Sequence, residues 1–240
     1  MSSLPDIQLV FVSGLLHPEI WEHQEKYFSR STRVETIGGE DFNSLCEKLE
    51  DMLDNCDNAV VVGAEKGNHV VKELEGHENM MTTVFTGLFE DLPEIKDERK
   101  YSMIKKALKK PKIFKKLFFK DKTDYGLVKQ FMHSFEIPKF DLYDSYTGMS
   151  LDVPLKNSLV MYNQGCRFSG MEKVESLKSN SEIALLDAGS FSFYERPQEF
   201  NKALHDYLQG KKGFLEKREL VKAASENRSL KDFNRLEVER

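Results

Sequence analysis

Val60-Val61-Val62-Gly63-Ala64-Glu65-Lys66-Gly67-Asn68-His69-Val70-Val71 is the stretch on which the fold turns. Three consecutive valines fit a strand buried on both faces, as in the middle of a parallel sheet. Glycines two residues either side of Glu65 predict a tight turn, and the residues after it predict a helix start. The outline is that of a nucleophile elbow, Gly-x-Ser-x-Gly, in which the middle residue is thrust out at the carboxyl end of a strand. Here that middle residue is Glu65.

Outward from this turn, short apolar runs alternate with amphipathic stretches. Ile7-Gln8-Leu9-Val10-Phe11-Val12, closed by Ser13-Gly14, predicts a central strand. Pro18 to Phe28 predicts a helix with proline in its first turn. Thr32 to Ile37 predicts a strand ended by Gly38-Gly39. From Asp41 to Leu53, Phe42, Leu45, Leu49, Met52 and Leu53 recur at steps of three and four, the period of a helix with one buried face. A helix follows the Glu65 turn to about Glu75, and Thr82 to Thr86 predicts a fourth strand, ending at Gly87. Strands resume at Leu159–Tyr162. A helix at Met171–Lys178, a strand at Ile183–Leu186 and a helix at Arg196–Leu208 follow. Alternation at this spacing means βαβ units and a parallel sheet.

Composition narrows the class. With 240 residues and 40% hydrophobic content, the chain can bury one large core. Mean hydropathy is -0.52 and no apolar run approaches the length of a membrane span. The first residues, Met-Ser-Ser-Leu-Pro-Asp, have no basic segment followed by an apolar one, which predicts no secretion signal. Cys46, Cys56 and Cys166 are an odd count without metal-like spacing, so reduced thiols, a cytoplasmic setting and no metal or other cofactor are expected.

Several segments together resemble the α/β-hydrolase family over nearly the whole chain. The first strand running into Ser13-Gly14-Leu15-Leu16, with Trp21 beyond, is similar to that family's oxyanion loop and its downstream Trp. Gly63-Ala64-Glu65-Lys66-Gly67 is similar to its elbow. Leu159-Val160-Met161-Tyr162, followed by Asn163-Gln164-Gly165-Cys166, looks like the strand and loop that carry the acid. Leu186-Asp187-Ala188-Gly189-Ser190-Phe191, then Glu195-Arg196-Pro197, looks like the loop that carries the histidine.

The resemblance implies an α/β-hydrolase fold with a mainly parallel sheet of about six strands, the family's first two strands being absent. Helices cover both faces and a helical lid is inserted. The core is expected at 1–90 and 157–210, the lid at 91–156, and a helical extension at 211–240. It also places the triad at Glu65, Cys166 and Ser190, none of which is the expected residue type. A triad needs a hydroxyl or thiol, an imidazole in reach, and a carboxylate that orients it. The expected function is therefore a non-catalytic, small-molecule-binding or regulatory protein. The alternative is a hydrolase or lyase using Glu65 or a relocated base on a small apolar ester, epoxide or halide.

Three roles stay open for Glu65. Its carboxylate can fold back onto the N–H groups of Leu15 and Lys66, which otherwise receive an oxyanion. It can bind a ligand. It can act as nucleophile, as related dehalogenases and epoxide hydrolases use Asp, although Glu is one methylene longer. His69, four residues on, can face it across one helical turn. Ser13, Gly14, Leu15, His17 and Lys66 are the other candidate pocket residues, and Asp187 lies at the end of the last strand.

Residues 101–122 hold nine lysines and one Asp in a chain whose net charge is -5. Ile104, Ala107 and Leu108 share a face, and Phe114, Leu117 and Phe118 repeat the pattern after Pro111, which ends or kinks a helix. One reading is a lid with its lysines in solvent. The other, a second alternative for the function, is a surface for an anionic membrane or an acidic protein. Nucleic acid is not expected, because the patch has no arginine for bidentate phosphate recognition.

Overall fold

Six strands pair in parallel in the order β2-β1-β3-β4-β5-β6: β1 (Gln8–Ser13), β2 (Arg33–Gly38), β3 (Ala59–Ala64), β4 (Met80–Thr86), β5 (Ser158–Asn163) and β6 (Glu182–Leu186). The computed structural model describes residues 7–87, 95, 97–135, 137–147, 149, 151, 158–166 and 181–210. β1, β3 and β5 are buried at every residue, which is why they read as nearly continuous apolar runs. β2 lies at one edge and is only partly covered, in keeping with its Arg33, Glu35 and Thr36. The register aligns Ser13 with Ala64, and Ala64 with Thr86, so the carboxyl ends of the three central strands stand level.

Alternate residues of the strands build two cores. On one face Val10, Val12, Val61, Phe85 and Val160 pack with Leu45, Leu49 and Leu53 of α2 (Phe42–Asp54) and Val70 and Val71 of α3 (Gly67–Glu73). Asp41 caps α2 by accepting from the Ser44 N–H. A second, aromatic cluster forms around Phe11. Its ring centroid lies 4.9 Å from that of Trp21, which lies 4.4 Å from that of Phe193.

The predicted helix at Pro18–Phe28 divides into a 3-10 turn, Pro18–Trp21, and α1 (Glu22–Phe28). The predicted helix at Arg196–Leu208 also differs. A short helix precedes it, and residues 197–210 form the longer one. Arg196 leaves the helical conformation, with φ -135° and ψ 58°, because the ring of Pro197 disfavours the helical region for the residue before it. Pro197 then opens the longer helix, where its missing N–H costs nothing.

Between β4 and β5 the described residues form four helices: α4 (Glu98–Leu108), α5 (Pro111–Phe118), α6 (Tyr125–Ser134) and α7 (Phe140–Asp144). Pro111 ends α4 and starts α5, with Lys110 extended before it. Phe114 of α5 and Phe131 of α6 are fully buried against Phe191, at ring-centroid distances of 6.3 and 4.7 Å. These rings fasten the inserted helices to the segment leading into α8 (Ser192–Glu195). The chain divides into two compact units at Asn201/Lys202. The sheet belongs to the first, and the described residues of the second, 202–210, are helical. The predicted helix at 171–178 and the extension at 211–240 lie outside the described residues. Among the described residues no helix is long and apolar enough to cross a membrane.

Candidate functional site

β1 has β2 on one side and β3 on the other, so the strand order reverses between them. In open parallel sheets ligands bind in the crevice at the carboxyl ends of the strands where that reversal occurs. Two turns meet there, the Gly14–Leu16 loop after β1 and the Glu65 turn after β3. They touch backbone to backbone. A Cβ on Gly67 would lie 2.2 Å from the Val12 carbonyl oxygen, and one on Gly14 would lie 2.6 Å from the Gly67 nitrogen. Only glycine permits that approach.

Glu65 has φ 52°, the one positive value for a non-glycine among the described residues. The left-handed conformation costs about 1–2 kcal/mol for a residue with a Cβ. This is the sharp strand-to-helix turn of an elbow, carried by Glu65 in place of the serine. The Glu65 N–H is held by the Thr86 carbonyl at 3.3 Å.

The residue is 7% exposed. Burial pushes its carboxyl up to about 8, and the nearby Lys66 charge opposes that rise. Among the described residues no hydrogen bond reaches the carboxyl, and it does not fold back onto the N–H groups of Leu15 or Lys66. Desolvation therefore decides its protonation, and near neutral pH it is a neutral acid.

Lys66 and His69 are both buried, and their Nζ and Nε2 atoms lie 3.1 Å apart. An ammonium has no acceptor, so Nε2 accepts and the imidazole is neutral when Lys66 is charged. His69 thus serves Lys66, whereas spacing along the helix made it equally available to Glu65.

Beyond the carboxyl ends of β5 and β6, Cys166 Sγ and Ser190 Oγ are 3.4 Å apart, both buried. The Ser190 N–H donates to the Phe118 carbonyl at 2.7 Å, and its own carbonyl accepts from Asn163 Nδ2 at 3.0 Å. Gly87 separates Glu65 from Ser190. A Cβ placed there would lie 3.3 Å from the Glu65 nitrogen and 3.5 Å from the Ser190 oxygen. The three positions at 65, 166 and 190 thus gather at one edge of the sheet. No imidazole hydrogen-bonds any of them among the described residues.

The other candidates have structural partners. Ser13 Oγ donates to the Leu16 carbonyl at 2.9 Å and shapes the loop. Gly14 accepts from the Gly39 N–H. Leu15 packs between the main core and the small cluster of Ile95, Tyr101 and Tyr143. His17 is largely exposed and caps the Pro18–Trp21 turn through Nδ1. Asp187 pairs with Lys120.

Three further residues shape the site. Thr86 ends β4 and Asn163 ends β5. Thr86 Oγ1 and Asn163 Oδ1 are buried without a hydrogen-bond partner among the described residues. Glu195 accepts from the N–H groups of Gly189 at 2.7 Å and Lys120 at 3.3 Å, and from the Thr123 hydroxyl. It clamps the Ser190 loop to the end of α5. The Glu-Arg-Pro motif marked Glu195 in the sequence, but not as a tie to residues some seventy positions earlier. Among the described residues no group of three or more His, Cys, Asp or Glu side chains is placed to hold a metal ion.

No known family's sequence profile matches the chain, and no curated protein matches its sequence. Solved structures do match it in shape. An esterase from Thermogutta terrifontis, solved with malate bound, is 13% identical with a TM-score of 0.66, over 87% of this chain and 92% of that one. An enol-lactonase from Burkholderia xenovorans is 14% identical with a TM-score of 0.67, over 87% and 92%. MenH from S. aureus is 15% identical with a TM-score of 0.62, over 88% and 97%. At such identities the likeness speaks to the fold alone.

Proposed function

We propose that this chain, which has the α/β-hydrolase fold, is a small-molecule-binding or regulatory protein that does not hydrolyse by a serine–histidine–acid triad. The observation that carries this reading is the Glu65 carboxyl buried at the elbow, beyond hydrogen-bond reach of any described imidazole and pushed by that burial toward its neutral form. A neutral carboxyl is a poor nucleophile, yet it both donates and accepts hydrogen bonds. With Thr86 Oγ1 and Asn163 Oδ1 buried nearby at the same sheet edge, it suits a small, mainly apolar ligand carrying a carbonyl or hydroxyl. Helices α4–α7 act as the lid over that crevice.

A second reading has one observation in its favour, the left-handed backbone of Glu65, which is the elbow's own geometry. In it, the ionised Glu65 attacks an ester, epoxide or halide. Assays with p-nitrophenyl esters, epoxides and haloalkanes separate the two. The binding reading expects the wild type to turn over none of them faster than Glu65→Gln does. It also expects carbonyl or hydroxyl compounds to raise the Tm of both proteins, but less so of Glu65→Ala. Wild-type turnover that Glu65→Gln abolishes overturns it.

A further inference from the structure

We propose that the outward face of α4 and α5 docks on an anionic phospholipid bilayer. Between Arg99 and Lys120 the sequence contains no Asp or Glu. The inward side of α4 is occupied. Tyr101 and Lys105 both donate to the Pro138 carbonyl, at 2.9 and 3.1 Å. The outward side carries exposed Lys100 and Lys106 together with Met103 and Ile104, which are 72% and 37% exposed. On α5, Phe114 turns inward, and Lys112 and Lys116 lie opposite it with Ile113 on the flank, 37% exposed. Lys109 and Lys110 form the exposed corner between the two helices.

None of these six lysines is ion-paired with a carboxylate of a described residue. A run of unpaired cations costs self-repulsion, and a negatively charged partner surface relieves it. Two features select a bilayer over a folded acidic partner. The charges are lysines, hydrated point charges on flexible stems, suited to a diffuse negative field rather than to forked recognition of particular carboxylates. The exposed apolar residues are few and sit among those charges, where Met103 and Ile104 can enter the headgroup boundary while lysine stems lie along it. This docking is independent of what the crevice at Glu65 binds.

The test is co-sedimentation of the full chain with phosphatidylcholine vesicles, with and without about one-third phosphatidylserine. Binding to the anionic vesicles alone is expected, weakening as salt rises. Each lysine contributes roughly fivefold, so replacing Lys106, Lys109, Lys110 and Lys112 with Gln reduces partitioning on the order of several hundredfold. Met103→Ser with Ile104→Ser reduces it about tenfold. Every substituted side chain is exposed, so unchanged urea midpoints verify that the variants fold. Absence of anionic-vesicle binding, or binding indifferent to the lysines, overturns the proposal. So does binding to polyglutamate as tight as to vesicles and unaffected by the Met103 and Ile104 changes, which assigns the face to a soluble acidic partner.

Discussion

Replacing Glu65 with Gln tests the physical core of the site, because it keeps the side chain's size and removes its titration. An exposed glutamate has a pKa of 4.5, and burial lifts that of Glu65 to about 8. Below pH 4.5 native and unfolded chains both hold the proton, and Glu65 exerts no pH effect. Between the two values the unfolded chain releases its proton while the native one keeps it. Native stability then falls with rising pH by about 1.4 kcal/mol per pH unit. Above pH 8 the native state must hold a buried carboxylate, and the accumulated loss is roughly 5 kcal/mol. That is a large fraction of a domain's usual stability of about 5–15 kcal/mol. Glu65→Gln escapes the loss, so its stability advantage over the wild type grows across this range and then levels off. Urea denaturation from about pH 5 to pH 9 reads it directly. The single Trp, Trp21, is fully buried between Phe11 and Phe193 and reports unfolding. A gap that does not change with pH refutes the reasoning, as does a wild type that gains on the variant at high pH.

Gly67→Ala places a Cβ 2.2 Å from the Val12 carbonyl and forces the two turns of the crevice apart. A loss of about 1–3 kcal/mol or more is expected in urea titrations. Glu195→Ala strands the buried Gly189 N–H, the Lys120 N–H and the Thr123 hydroxyl, at a cost of about 3 kcal/mol. Hydrogen exchange should accelerate at Gly189 and Lys120 ahead of the central strands. Phe131→Ala opens a cavity among Phe114, Phe191 and Tyr194 and should cost about 3–5 kcal/mol in chemical denaturation.

Much of the sheet was legible because burial leaves a short-range imprint. β1, β3 and β5 are covered on both faces, and their sequences carry almost nothing but apolar residues. The break at Pro111 was readable for a similar reason, since proline acts on the residue beside it. Pro197 acts in the same way on Arg196, where the sequence predicts the helix to begin, one position before it does; the short helix Ser192–Glu195 ahead of it is not predicted. The second-strand edge, with Arg33 and Glu35, reads as a strand only by its alternation.

From sequence alone, then, came the succession of strands and helices, the elbow at Glu65 and the lysine-rich insertion, all set by neighbours a few residues apart. Tertiary structure alone decided that Glu65 keeps its proton, that His69 turns to Lys66, and that Glu195 holds the Ser190 loop to α5. Each of these depends on how much water is excluded and on which groups fill the space; Glu195 meets partners some seventy residues away, while His69 has two candidate partners within one helical turn and packing selects Lys66. Periodicity records which face of an element is buried. It does not record the dielectric around a single carboxyl or the donor that reaches it.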